Sequence, residues 1–87
     1  MSFRIYSLHE FAAYFAEHPD GARILQATTI SNAYYDPSNE PTRALADYVI
    51  VVRRLEPLKN RLHSDDFAQM MTTLDLATDE LSRRALA

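Results

Sequence analysis

The chain of 87 residues contains no cysteine, no tryptophan and a single glycine, Gly21. Without thiols there is no disulfide framework, no thiolate nucleophile and none of the common structural zinc sites. One glycine is too few for a P-loop, a dinucleotide-binding fingerprint or a nucleophile elbow, each of which needs backbone to approach phosphate closely or adopt positive φ. No run approaches the roughly 18 uninterrupted apolar residues of a membrane span, and Met1–Tyr6 lacks the apolar centre of a signal peptide. The expected setting is therefore the cytosol. Internal repeats and low-complexity tracts are absent as well.

What remains is ordinary for a folded protein: 47% hydrophobic and 24% charged residues, with a formal charge of -3. That composition is too apolar for intrinsic disorder, and the length predicts one domain over residues 1–87. A domain this small buries a limited fraction of its surface, so self-association or a partner would supply welcome extra burial. Eight of the nine basic residues are arginine and alanine is abundant, which fits a GC-rich bacterial or phage genome.

Four prolines and Gly21 divide the sequence. Ser7-Leu8-His9-Glu10 is a capping box, and Leu8, Phe11, Ala12 and Phe15 follow it at i, i+3, i+4 and i+7, so a helix is expected from Ser7 to about His18, ending before Pro19-Asp20-Gly21. Ahead of it Phe3 and Ile5 alternate with Arg4, as a short strand or an extended arm would. From Ala22 to about Tyr35 the pattern reads as helix, with Ile24, Ala27, Ile30, Tyr34 and Tyr35 on one side, although Thr28-Thr29-Ile30 leans toward strand. Residues 36–41 form a loop in which Ser38 or Asn39 would cap the next helix.

From Pro41 the 3-4 spacing of Leu45, Tyr48, Val49, Val52, Leu55, Leu58 and Leu62 predicts a helix that Pro57 must kink or break. Ser64 is the expected N-cap of a last helix to about Ala85, with Phe67, Met70, Met71, Leu74, Ala77, Thr78, Leu81 and Ala85 as its stripe. Asp79 with Arg83 and Glu80 with Arg84 would pair at i,i+4. The two helices should form an antiparallel hairpin. The fold expectation is thus an all-α bundle of three or four helices built on this C-terminal hairpin, with a small α+β domain as the alternative.

Sites for chemistry are sparse. His9-Glu10-Phe11-Ala12-Ala13 begins like the zinc-protease helix, but alanine stands where the second histidine is needed. Asp75 with Asp79, and His63 with Asp65 and Asp66, are read as solvated charges because hard-cation sites gather more oxygen ligands. No nucleophile, base and oxyanion donors assemble. No catalytic residue, cofactor or metal is therefore assigned.

Charge is unevenly spread: residues 1–47 carry -3, residues 48–62 carry +3 and residues 63–87 carry -3. The basic stretch holds Arg53, Arg54, Lys59 and Arg61, and the acidic last helix is expected to lie alongside and neutralise it. Two apolar residues break the helical pattern: Ile50, opposite the stripe of its helix, and Leu76, opposite Phe67. Tyr34 and Tyr35 beside a proline-rich loop are amphipathic anchors of the kind enriched at interfaces. Tyr34, Tyr35, Ile50, Arg53, Arg54 and Leu76 are accordingly the candidate partner-binding residues. The function expected is a non-enzymatic protein-binding module, a small regulatory protein or inhibitor that occupies a surface of a larger protein. The alternatives are a nucleic-acid-binding regulator using residues 53–61 and a homodimerising structural subunit.

Overall fold

A computed structural model of the chain describes residues 4–30 and 35–86, with the side chain of Ile30 left aside. Four helices carry the architecture: α1 (Leu8–Tyr14), α2 (Pro19–Ile30), α3 (Thr42–Leu55) and α4 (Ser64–Leu86). A 3-10 turn, Pro37–Asn39, precedes α3, and a 3-10 segment, Glu56–Arg61, joins α3 to α4. The protein is an all-α bundle, and the described residues contain no strand beyond one isolated parallel bridge between Tyr6 and Leu62.

The capping box at α1 forms as its sequence dictates: the Glu10 amide donates to Ser7 Oγ at 3.2 Å, and the Ser7 amide reaches Glu10 Oε1 at 3.5 Å. Leu8, Phe11 and Ala12 are buried. The helix stops at Tyr14, a turn earlier than expected, because Phe15–His18 forms tight turns in which the Phe15 amide donates to Ala12 and the His18 amide to Phe15. Pro19-Asp20-Gly21 is the start of α2 and not a loop. Proline at the first helical position gives up an N–H that has no partner there anyway, and the His18 carbonyl accepts from the Ala22 amide at 2.9 Å.

Gly21 then serves as a contact point between helices. A Cβ there would lie 2.7 Å from the Asp47 carbonyl oxygen and 2.9 Å from Val51 Cγ2, so only glycine lets α2 cross α3 this closely. Leu25, off the expected stripe, is fully buried with Ile24, whereas Ala27 is exposed. Thr28 is buried too; its hydroxyl donates to the Ile24 carbonyl at 3.0 Å, which satisfies the polar group inside a helix despite its β-branched shape.

Asp36, not Ser38 or Asn39, is the capping side chain in the loop. It accepts from the Ser38 amide at 3.0 Å and the Ser38 hydroxyl at 2.6 Å, bonds that hold its carboxyl below the usual range. Those bonds organise the 3-10 turn, while α3 opens from Pro41 with no side-chain cap. The core of α3 is Ala44, Leu45, Tyr48, Val51, Val52 and Leu55. Its helix ends at Leu55, and Pro57 converts the continuation to 3-10 geometry with Leu58 at φ -100°, ψ 15°, outside helical values.

α3 and α4 run antiparallel: Arg84 near the end of α4 meets Thr42 at the start of α3, and the Tyr48 hydroxyl donates to the Met70 carbonyl at 3.0 Å. Two expectations for α4 are corrected. The His63 carbonyl accepts from the Phe67 amide, so Ser64 lies in the first turn instead of capping it. The face turned to the core is Met70, Thr73, Ala77 and Glu80, while Phe67, Met71, Leu74 and Leu81 are only half-buried.

A polar clamp accompanies the buried Glu80. Arg84 donates to Glu80 Oε2 at 2.9 Å, to Thr42 Oγ1 at 2.8 Å and to the Glu40 carbonyl at 2.7 Å, with longer bonds to the carbonyls of Pro37 and Ser38. Glu80, only 6% exposed, also lies 3.0 Å from Arg83 Nη1, without hydrogen-bond alignment. A buried carboxylate needs such partners, and Arg84 supplies them to Glu80. Asp79 and Arg83, expected to pair, do not.

Candidate functional site

The segment that follows Pro57 builds a groove. Tyr6 is drawn alongside it by the bridge to Leu62: the Tyr6 amide donates to the Arg61 carbonyl at 2.7 Å and the His63 amide to Tyr6 at 3.3 Å. α1 supplies Phe11 and Tyr14, and the turn after it supplies Phe15. With Leu58 and Arg61 these line a hollow of about 270 Å³. A second hollow of about 280 Å³, lined by Pro57, Leu58, Asn60 and Arg61, adjoins it through two shared residues.

The rings form a connected set, with Tyr6 and Phe11 centroids 5.1 Å apart and Phe11 and Tyr14 5.8 Å apart. Arg61 lies over the Tyr6 ring at 5.6 Å, and Arg4 lies 5.0 Å from the same centroid. Tyr14 is 67% exposed and Ile5 51%, so large apolar surface borders the groove unburied.

Among the nine cations, six have carboxylate partners: Arg4 with Glu10, Arg23 with Glu40, Arg43 with Asp47, Arg54 with Glu17, and Arg83 and Arg84 with Glu80. The remaining three, Arg53, Lys59 and Arg61, have no carboxylate within 4 Å among the described residues. All three are exposed: Arg53 lies in the last turn of α3, Lys59 and Arg61 in the 3-10 segment, and of the three Arg61 lines the hollows. Beyond Tyr6 the polarity reverses. A hollow of about 370 Å³ there is lined by Glu10, Asp65 and Asp66 together with His63, Ile5, Tyr6 and Ser7.

The residues singled out from sequence are dispersed. Ile50 and Leu76 are exposed at 41% and 39%, but Ile50 points away from the side of α3 that meets α4 and cannot share a patch with Leu76. Arg54 pairs with Glu17 in the turn after α1, so the basic stretch is not neutralised by the acidic α4 as expected. Arg53 is exposed, and Tyr34 lies outside the described residues. Tyr35 is half-buried against the core, its hydroxyl enclosed without a partner among the described residues. Burial, reinforced by Glu40, pushes its pKa up to about 12.

Arg61 belongs to the basic stretch of the nucleic-acid alternative, whereas Tyr6, Tyr14 and Phe15 are not among the residues that the sequence singles out. Tyr14 carried a signal of the kind used for Ile50, a large ring off the apolar stripe of its helix; the placement of Tyr6 against Leu58 depends on a pairing between distant segments. No three histidine, aspartate or glutamate side chains converge as a metal site among the described residues, and no described helix is long and apolar enough to cross a membrane. Comparison with protein-family models, with curated proteins and with solved structures finds no match for this chain.

Proposed function

We propose that the protein is a non-enzymatic binding module, a small regulatory protein or inhibitor that acts by holding on to another protein. The observation that carries this is the aromatic groove between α1 and the 3-10 segment, where Tyr14 stays exposed beside Phe11, Phe15 and Leu58. Aromatic side chains and arginine are the types that dominate binding energy at protein interfaces, because they offer large rigid surface at low entropic cost. A side chain of the partner enters the hollow and buries those rings.

Affinity capture with the tagged chain from lysate of its native host, with and without nuclease treatment and run beside the variant Tyr14→Asp, tests this. Tyr14 is largely solvent-exposed, so the substitution alters the groove and leaves the core intact. A protein retained by the wild type and lost with the variant is the expected result. Equal retention by both removes the groove from the account. Recovery of nucleic acid alone favours the nucleic-acid regulator, and recovery of untagged copies of the chain itself favours the self-associating subunit.

A further inference from the structure

We infer that the groove takes an acidic segment of its partner: an apolar anchor inserted among Tyr6, Phe11, Tyr14 and Leu58, with a flanking carboxylate on Arg61 and the neighbouring Lys59 adding to the positive charge of that segment. This rests on the binding-module reading above and names the chemistry of its partner. Two independent observations converge on it. The hollow is aromatic, and the one cation in its lining, Arg61, has no carboxylate within 4 Å among the described residues, with Lys59, likewise without one, two positions before it in the exposed 3-10 segment.

The distribution is not a consequence of general cation excess, since the chain is net acidic and six of its nine cations have a carboxylate beside them. An unpaired arginine in the wall of an apolar hollow is held for a ligand anion, which it binds through a planar fork of donors. Its position over the Tyr6 ring keeps the guanidinium aligned while its donors remain free. The insertion places carboxylates at the α3 end of the groove, because Glu10, Asp65 and Asp66 repel them at the other. The same acidic hollow disfavours a polynucleotide, whose phosphates would continue past Tyr6 onto those carboxylates. A short acidic peptide ends before reaching them.

Selection from a displayed library of random peptides on the intact chain tests the inference, with Tyr14→Asp as the counter-target that discards binders outside the groove. The enriched sequences are expected to place Phe, Tyr or Leu next to Asp or Glu. The double variant Lys59→Glu/Arg61→Glu, whose native side chains are both exposed, is expected to weaken those peptides more than about tenfold. It should instead enrich peptides carrying Lys or Arg. Circular dichroism matching the wild type establishes that this variant is folded.

Groove-dependent peptides without acidic residues, indifferent to the charge reversal, overturn the acidic-segment inference and leave the binding module standing. Absence of any groove-dependent peptide overturns both. A single-stranded oligonucleotide bound by the wild type and released by the same charge reversal also overturns the inference, in favour of nucleic acid.

Discussion

Two tyrosines show how burial of a hydroxyl is resolved in opposite ways. Tyr48 is fully buried and its hydroxyl donates to the Met70 carbonyl. Burial raises its pKa well above the ordinary value, with the Thr73 hydroxyl partly offsetting the rise. Tyr35 has the same need and no partner among the described residues. Both folded-state values lie above the unfolded value of about 10. The stability that the protonated hydroxyls contribute is therefore complete below pH ~10 and is lost as the pH rises toward 12 and beyond, because the unfolded chain releases those protons first. Urea melts from neutral to alkaline pH should show stability falling above ~10. Tyr35→Phe should reduce that fall and, by removing an unpartnered hydroxyl, stabilise the neutral protein by about 1 kcal/mol. A neutral-pH loss of stability in Tyr35→Phe would mean that the hydroxyl is bonded after all.

At the scale of elements, the Glu80–Arg84 clamp holds α4 in place. Arg84 joins the last turns of α4 to the 3-10 turn and to the start of α3, and removing it leaves Glu80 buried with only the poorly aligned Arg83 contact. Arg84→Ala is expected to cost about 3 kcal/mol in a denaturant melt. Arg84→Lys should recover little, since an ammonium lacks the fork that serves several acceptors at once. The double variant Glu80→Leu/Arg84→Met, which removes both buried charges together, should be markedly more stable than Arg84→Ala. If Arg84→Ala melts like the wild type, the clamp does not hold α4 in place.

The same elements show what could be read from sequence. Ser7 and Glu10, the spacing of Leu45, Tyr48, Val52 and Leu55, and Pro57 encode local geometry, and each appears where its chemistry requires. Pro19 misled because a proline after a helix also begins one well. On α4 hydrophobic periodicity finds the residues that pack on the core but gives no weight to a buried ion pair, so Glu80 reads as one half of a surface i,i+4 pair. The groove was less legible still. Its rings belong to three segments, brought together by the bridge between Tyr6 and Leu62, and its charge character emerges only when the partners of the other six cations are known.

For the molecule as a whole, the proposed recognition surface is the groove between α1 and the 3-10 segment. α2, α3 and α4 supply most of the core, whereas α1 and the 3-10 segment hold an apolar hollow whose lining cation, Arg61, has no carboxylate partner among the described residues. The most direct test of that placement is amide chemical-shift mapping of the folded chain with anilinonaphthalene sulfonate, a small probe that joins an aromatic body to an anion. The account predicts saturable shifts confined to Ile5–Ser7, the end of α1 with the following turn, and the stretch from Arg53 to Leu62, all abolished by Lys59→Glu/Arg61→Glu. Shifts centred on Ile50, on Leu76 or on the half-buried stripe of α4, unchanged by that charge reversal, would contradict it.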